Sequence, residues 1–304
     1  MKVTVTGATG TLGRAVVEAL RSRGDQVSAL SRDAAGAREK LGENVRALEW
    51  KAPKAAPPPA AALSGQDAVV HLLGEPVAQR WSETAKSEIR DSRVLATRNL
   101  VTALGELDEA ERPGVLVSQS ATGWYGPRGD ERVEEDEPAG DDFLARLCVQ
   151  WEAEAQAAEG LRVAMTRTGV VLSGDGGALE KMLPAFKLGV GGPVAGGDQY
   201  VPWIHSEDIV AALLFCLDEE GASGPLNLTA PEPVTNRELS KALGRVLHRP
   251  SVAPVPGLAI KALYGDMASI VTTGVRAVPA RLQALGYEFR QPDLEHALRA
   301  AIGT

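Results

Sequence analysis

Short apolar runs rich in β-branched residues alternate with helical hydrophobic patterns through residues 1–172. The apolar runs predict strands at Lys2–Thr6, Gln26–Ser31 and residues 45–50, 68–73, 115–118 and 163–167. Apolar positions three and four apart predict helices at residues 12–23, 83–107 and 143–159. Nearly continuous apolar strands separated by helices are typical of a parallel sheet covered on both faces. The pattern therefore predicts an α/β fold with a Rossmann-type, doubly wound parallel sheet.

The pattern changes after residue 172, where glycines become frequent and the alternation weakens. Helices are predicted again at residues 208–217 and 236–247, and Thr235 or Asn236 is placed to cap the second of them. We expect a smaller C-terminal region on the substrate side of the sheet, interleaved with the main domain. The expected division is residues 1–172 and 206–228 for the main domain, and residues 173–205 and 229–304 for the smaller region.

Composition and charge narrow the classes of function. The 304 residues carry 32 basic and 40 acidic side chains, a net charge of −8 and no basic run, which does not favour binding to nucleic acid or to a membrane. No apolar stretch approaches the roughly 20 residues that span a bilayer, and the N-terminus does not resemble a signal peptide. Cys148 and Cys216 fit no metal spacing, so we expect no metal site, buried free thiols and a cytoplasmic location.

A glycine-rich loop lies between the first predicted strand and the first predicted helix. Its three glycines follow the spacing of dinucleotide-binding loops: the first permits a tight turn, the second a close approach to a pyrophosphate, and the third close helix packing. The N–H groups at the start of the helix then face the phosphates. The cofactor contacts predicted here are Gly7, Thr9, Gly10, Thr11, Leu12 and Gly13.

The end of the second predicted strand selects between the two dinucleotides. An NAD site places an acidic residue there to accept from the ribose 2′-hydroxyl, whereas this chain has Ser31 and Arg32. A guanidinium suits a 2′-phosphate. Asp33 is the alternative, since it serves NAD if the register shifts by two residues. We expect the cofactor to be NADP(H).

Further motifs resemble those of the extended short-chain dehydrogenase/reductases. These are the glycine spacing, Ser120-Ala121-Thr122, Tyr125-Gly126 and the run from Trp203 to Asp208. A narrower set resembles the atypical subgroup called "epimerase family protein", which ends in a segment of unknown function, and the resemblance covers essentially the whole chain. That set comprises Leu73-Gly74-Glu75, Arg80-Trp81, Ser92-Arg93-Val94, residues 167–172, 189–193 and 278–282, and Leu285-Gly286-Tyr287.

The resemblance implies further contacts with the cofactor. Leu72, Leu73 and Gly74 would end a strand beside the nicotinamide ribose, with Glu75 next to them, and Val170 would lie near the nicotinamide. Arg93 stands where relatives place an asparagine that contacts the cofactor, and Glu88 precedes it on the same helix. A solvated helix surface is the alternative for Arg93 and Glu88.

The proton relay usual in this family is missing. Relatives combine a serine with Tyr-x-x-x-Lys, whose lysine lowers the pKa of the tyrosine so that the phenol exchanges a proton while hydride moves. If Glu152 marks the same helix position as the glutamate of the relatives, the tyrosine and lysine positions are Leu144 and Cys148. No other Tyr-x-x-x-Lys occurs in the chain.

An enzyme with a rearranged acid/base set is the first explanation. Ser120 would orient a substrate oxygen, Tyr125 would supply the phenol, and Glu75 is the nearest carboxylate; a turn hydroxyl, a packed ring and a surface carboxylate are the structural alternatives. The other candidates are His205, which a structural role explains equally well, and Arg80-Trp81 as a clamp for an anionic or planar group.

We therefore expect an atypical NADP(H)-dependent oxidoreductase or epimerase that acts on a small polar substrate, held between residues 120–126 and 189–205. The resemblance leaves a homodimer open as its assembly. The alternative is a non-catalytic NADP(H)-binding regulatory or sensor protein, for which the link of some relatives to cell or plastid division is relevant. A structural protein that binds no nucleotide is a third explanation, and the intact glycine loop argues against it.

Overall fold

The computed structural model describes residues 1–174 and 176–303. The strands in chain order are β1 (Lys2–Thr6), β2 (Gln26–Ser31), β3 (Arg46–Glu49), β4 (Ala68–His71), β5 (Val115–Ala121), β6 (Arg132–Val133), β7 (Arg162–Thr168), β8 (Val170–Ser173), β9 (Tyr200–Val201), β10 (Trp203–His205), β11 (Gly224–Leu228), β12 (Val234–Thr235) and β13 (Arg276–Ala277). Seven of them form one sheet in the order β11-β7-β5-β4-β1-β2-β3. All its neighbouring strands are parallel, so the predicted α/β fold with a Rossmann-type sheet is confirmed.

Helices cover the sheet on both faces. In chain order they are α1 (Thr11–Ser22), α2 (Ala34–Leu41), α3 (Glu83–Gly105), α4 (Phe143–Gln156), α5 (Gly177–Lys187), α6 (Ser206–Asp218), α7 (Asn236–Val246), α8 (Gly257–Tyr264), α9 (Ser269–Thr272), α10 (Ala280–Ala284) and α11 (Leu294–Ile302). One face packs side chains of α1, α2 and α6 against the sheet, and the other packs α3 and α4. None of the described helices is long and apolar enough to cross a membrane.

A smaller layer lies beyond the carboxyl edge of the sheet. Strands β8 and β10 pair in parallel, and their Leu172 and Trp203 share a separate hydrophobic cluster with α5, α7 and α11. The last part of the chain does not stay in this layer. Leu282 and Tyr287 pack in the core of the main sheet beside β11, so the expected division, which gave residues 229–304 to the smaller region, does not follow the packing here.

The observed ends of some strands and helices differ from the predicted ones, because backbone groups there form hydrogen bonds with side chains. Strand β4 ends at His71 rather than at residue 73, and the amide N–H of Leu72 donates to Thr6 Oγ1. Helix α6 begins at Ser206 rather than at residue 208, because His205 caps it. Helix α7 begins at Asn236, as predicted, and Thr235, one of the two predicted caps, forms a reciprocal capping box with Glu238.

Candidate functional site

The glycine loop connects β1 to α1 at the carboxyl edge of the sheet. Gly7 has a φ of +65°, and a Cβ there would lie 2.8 Å from the Leu72 carbonyl oxygen. A Cβ on Gly13 would overlap the carbonyl oxygen of Gly7, because α1 packs directly on the turn. The turn and packing roles that the sequence predicts for these two glycines are therefore confirmed.

Gly10 and the start of α1 are free to meet a ligand. A Cβ on Gly10 would lie 3.3 Å from the Gly7 carbonyl oxygen, a tight contact that requires a shift of a few tenths of an ångström, so the fold constrains Gly10 less severely than Gly7 or Gly13. Gly10 caps α1 with no side-chain hydrogen bond, the first turn has no acidic residue, and Thr11 is exposed. Thr9 and Leu12 are half-buried on either side. This helix end presents N–H groups that have no hydrogen-bond partner among residues 1–174 and 176–303, and it carries a positive dipole end, which together suit a phosphate.

The structure after β2 distinguishes Arg32 from Asp33, the two residues that could contact the adenosine ribose. Asp33 caps α2: its Oδ1 accepts from the Gly36 amide at 3.0 Å. The Ser31 hydroxyl accepts from the Asp33 amide at 3.2 Å. Arg32 is exposed and forms no hydrogen bond or ion pair with the described residues. The acidic side chain is thus engaged by its own helix, and the guanidinium is free.

Residues after β4 are fixed by α3. The Glu75 amide donates to Ser92 Oγ at 2.9 Å, and Arg93 Nη1 donates to the Glu75 carbonyl oxygen at 2.9 Å. The Arg93 guanidinium lies 5.2 Å from the Trp151 ring centre and against Gly74, where a Cβ would be 2.8 Å from Cζ. Burial lowers the pKa of Arg93, although the charges of Cys148 and Glu75 oppose that effect. A cation therefore stands at this edge of the sheet.

Glu88 and Val170 occupy different settings. Glu88 is half exposed and pairs with Lys54 at 2.5 Å, on the surface of α3. This placement corresponds to the solvated alternative. Val170 is half-buried at the start of β8, and its amide donates to the Pro202 carbonyl oxygen at 2.6 Å.

Ser120 lies at the end of β5, almost fully buried, and donates to Glu152 Oε1 at 2.6 Å. Glu152 accepts at the same time from Arg167 Nε and Nη2, both at 2.8 Å. A carboxylate only accepts hydrogen bonds, so the serine proton is committed to Glu152. Towards a ligand, Ser120 would present lone pairs.

Tyr125 is fully buried and sits in the same polar network. Its hydroxyl donates to Asn227 Oδ1 at 2.7 Å and accepts from Arg167 Nη1 at 3.1 Å. Burial raises the pKa of Tyr125 to about 12, and the charge of Arg167 only partly offsets this. The placement does not favour the predicted role as a proton-exchanging phenol, because no face of the ring reaches a ligand.

The network also contains residues that the sequence analysis did not single out. Glu135 accepts from the amides of Asn227 and Arg281 at 3.0 and 3.2 Å, and burial raises the pKa of Glu135. The Arg167 guanidinium stacks 3.9 Å from the Trp124 ring centre. Glu135 and Asn227 are 92 residues apart. No local pattern could have paired them.

Leu144 and Cys148 are the positions that the resemblance implies for the usual relay. Both face the turn after β5: a Cβ on Gly123 would be 3.2 Å from Leu144 Cβ and 4.0 Å from Cys148 Sγ. Burial raises the pKa of the Cys148 thiol to about 12. Cys148 and Cys216 are free and buried, as predicted. Neither Leu144 nor Cys148 can supply the proton or the charge of the usual relay.

His205 is buried, and its Nδ1 accepts from the Glu207 amide at 3.2 Å, which caps α6. Burial lowers the pKa of the His205 imidazole. Its Nε2 finds no hydrogen-bond partner among the described residues. The cap explains the histidine as a structural residue.

A pocket of about 470 Å³ opens beside Leu144. Trp81 forms part of its wall, packed edge-to-face on Phe143 with ring centres 5.0 Å apart. Leu258 of α8 also lines it. Arg80, the other half of the predicted clamp, is exposed outside the pocket lining. The lining combines apolar side chains with the charged side chains of Lys86, Asp142, Lys261 and Asp266.

Comparison with known proteins agrees with this geometry. Residues 3–228 match the NAD dependent epimerase/dehydratase family, and residues 255–301 match a domain of unknown function, DUF1731. The Arabidopsis thaliana "Epimerase family protein SDR39U1 homolog, chloroplastic" is 39% identical over 308 aligned positions, which cover 99% of this chain and 86% of the plant protein.

Solved structures give the same result. The human epimerase family protein SDR39U1 (isoform 2), crystallised with NADPH, superposes with a TM-score of 0.88 at 33% identity and full coverage of both chains. The UDP-glucuronic acid 4-epimerase of Bacillus cereus, solved with UDP-glucuronic acid and NAD, has a TM-score of 0.78 at 15% identity, covers 100% and 98% of the two chains, and shares the fold. The chain belongs to the NAD dependent epimerase/dehydratase family, as an epimerase family protein similar to SDR39U1 with a C-terminal domain of unknown function.

Proposed function

We propose that the protein binds NADP(H) and uses it as an atypical oxidoreductase or epimerase. The observation that carries the cofactor choice is the contrast at the end of β2, where Asp33 caps a helix and Arg32 has no partner among the described residues. A free guanidinium beside the loop suits a 2′-phosphate. The similar human protein was crystallised with NADPH, which supports the same choice.

The residues present fit the cofactor at each of its parts. The start of α1 would take the pyrophosphate, and Arg32 with Ser31 would take the 2′-phosphate. Leu72, Leu73 and Gly74, with Glu75 and Arg93, would line the nicotinamide ribose, and Val170 the ring. When bound, NADP(H) supplies or accepts hydride at the nicotinamide. In this proposal Glu88 has no role in binding, since it pairs with Lys54 on the surface.

The acid/base set must differ from that of the relatives. We propose that Tyr125 and Arg167 support the site, and that Ser120 accepts a hydrogen bond from the substrate because its own proton goes to Glu152. Glu75 stays the candidate acid/base, since its exposed carboxylate lies close enough to Arg93 to affect that guanidinium. The absent relay implies slow or unusual chemistry at this site.

A non-catalytic NADP(H) sensor is the second candidate. The burial of Tyr125 and the commitment of the Ser120 proton favour it, because the family's usual hydroxyl groups are tied up inside the protein. The bound cofactor would then stabilise one conformation or one partner surface. The cytoplasmic location and the homodimer stay predictions; the similar plant protein is described as chloroplastic.

Transfer of labelled hydride separates the two candidates. The protein is incubated with NADPH deuterated stereospecifically at C4 and with a metabolite extract, and products are searched for deuterium by mass spectrometry. Enrichment that exceeds that of an Arg32→Glu control, which should not hold NADPH, supports an enzyme. Tight NADPH binding without enrichment from either the 4R- or the 4S-deuterated cofactor contradicts an oxidoreductase and supports the sensor, and failure to bind NADPH contradicts both.

A further inference from the structure

The residues that line the pocket beside Leu144 indicate which class of ligand it can bind, and we take that ligand to be the substrate of the proposed function. It lies at the carboxyl edge of the sheet, where ligands of such folds bind, and its 470 Å³ are in the range of small-molecule sites. One wall is the edge-to-face pair of Trp81 and Phe143, continued by Leu144. Leu258 near the start of α8 also lines the pocket and is 82% exposed. Apolar side chains of both α4 and α8 therefore face the pocket.

Most polar groups that line the pocket are already engaged. Lys86 donates to Asp266 at 2.9 Å and to Glu83 at 3.2 Å. Asp142 caps α4 by accepting from the Ala145 amide at 2.8 Å. The lining hydroxyls of Ser269 and Thr272 donate to backbone carbonyl oxygens. These side chains can add little to the recognition of a polar ligand.

Lys261 is the exception among the charged residues of the lining. It extends from α8, one turn beyond Leu258, and donates no hydrogen bond to the described residues, although its charge helps to lower the pKa of Asp266 in the same lining. Because Lys86 donates hydrogen bonds to Asp266 and Lys261 donates none, the Lys261 ammonium is the lining cation that can offer its N–H groups to an anionic group. It offers far too little for a nucleoside diphosphate sugar, which needs several donors for its two phosphates and more for its sugar hydroxyls.

We propose that the pocket binds a largely apolar, ring-bearing molecule with one anionic group, and not a nucleoside diphosphate sugar. The ring packs against Trp81 and Phe143, where edge and face contacts between aromatic groups are favourable. The anionic group points to Lys261 at the mouth. This inference rests on the proposed function only in taking the occupant to be the substrate.

The test measures binding of naphthalene-2-sulfonate to the NADPH-loaded protein by calorimetry. We expect a single site, no heat from UDP-glucose, and weaker binding of 2-naphthylmethylamine, which has the same ring and the opposite charge. Leu258→Gln and Lys261→Gln should each weaken the probe about fivefold, because one removes apolar contact and the other the charge. Val252→Gln and Lys51→Gln are matched controls, exposed residues outside the pocket, and should change nothing.

Two results would overturn the inference. One is saturable binding of UDP-glucose that displaces the probe; the other is probe binding that Leu258→Gln and Lys261→Gln leave at the level of the two controls. Titration of NADPH in parallel keeps the conclusions apart. If NADPH binds and the probe does not, the substrate class is wrong; if the probe binds and NADPH does not, the proposed cofactor is wrong.

Discussion

At the carboxyl edge of the sheet, the hydrogen bonds of a side chain indicate its role in ligand binding better than its residue type does. Asp33 and Arg32 are neighbours that could each bind a ribose substituent, and only the cap on Gly36 shows that the carboxylate is engaged. Tyr125 belongs to a motif next to Ser120, yet its ring is buried. The sequence predicted which residues gather at the site. It could not predict which of them keep a free polar atom, since that depends on contacts with residues distant in the chain.

His71 provides a pH test at this scale. It is fully buried between Thr6 Oγ1 and Thr97 Oγ1 at 2.7 and 3.0 Å, and burial lowers the pKa of His71 to about 4. The unfolded chain takes up the proton near the ordinary value of 6.5. The contribution of His71 to the free energy of unfolding is therefore fully present above pH 6.5. It is lost as the pH drops towards 4, which lowers the free energy of unfolding by about 3 kcal/mol.

Urea unfolding between pH 4 and 7 measures this effect. His71→Asn should be less stable at pH 7 and show a shallower loss of stability on acidification than the unmodified protein. His296→Asn, at an exposed position, should leave the slope unchanged. An unchanged slope in His71→Asn would contradict the buried neutral imidazole.

At the scale of elements, local patterns predicted six of the seven strands of the main sheet and the helices α1, α3, α4 and α6, because hydrophobic periodicity reflects which face is buried. Strand β11 and helix α2 were not predicted. Local patterns did not predict the polar contacts that connect elements distant in the chain. The ion pair of Glu152 and Arg167 ties α4 to β7, and Asn227 brings β11 into the same network. Helix α8 was also missed: it has no buried residue, so its apolar positions do not follow a core-facing stripe.

The two ion pairs of α4 give a matched comparison. Glu152 is buried with Arg167, whereas Glu154, two residues on, pairs with Arg98 at the surface. Glu152→Gln leaves a buried guanidinium without its counter-charge and should lower the free energy of unfolding by about 3–5 kcal/mol. Glu154→Gln should cost at most about 1 kcal/mol. Chemical denaturation decides, and equal losses would show that the buried network is not a structural support.

The glycine loop allows fold and cofactor binding to be separated. Gly13→Ala places a Cβ on the Gly7 carbonyl oxygen, so α1 must move, and we expect a loss of at least about 1–3 kcal/mol of stability. Gly10→Ala brings a methyl group to 3.3 Å from the same oxygen, which requires a smaller shift, so it should cost less stability than Gly13→Ala; the methyl group would also occupy space next to the pyrophosphate. We therefore expect Gly10→Ala to lose most NADPH affinity while its melting temperature falls less than that of Gly13→Ala. The opposite outcome for the two variants would contradict these roles.

At the scale of the whole molecule, the parallel sheet brings the ends of β1, β2, β4 and β5 to one edge, where the loops that follow them carry the candidate cofactor residues. This arrangement follows from the fold class, so the place of the candidate cofactor site could be predicted from the sequence, and the individual contacts stay predictions. The pocket beside Leu144 is lined in part by α8 and the adjoining C-terminal segment, whose position depends on tertiary contacts, so local patterns could not predict it.

The most direct test of the account is the affinity of the protein for NADPH and NADH, measured by calorimetry with and without Arg32→Ala. The account predicts that NADPH binds more tightly than NADH. Loss of a charge-assisted contact with the 2′-phosphate should weaken NADPH by about tenfold or more in Arg32→Ala, and NADH should hardly change. Equal weakening of both dinucleotides, or a preference for NADH in the unmodified protein, would contradict it.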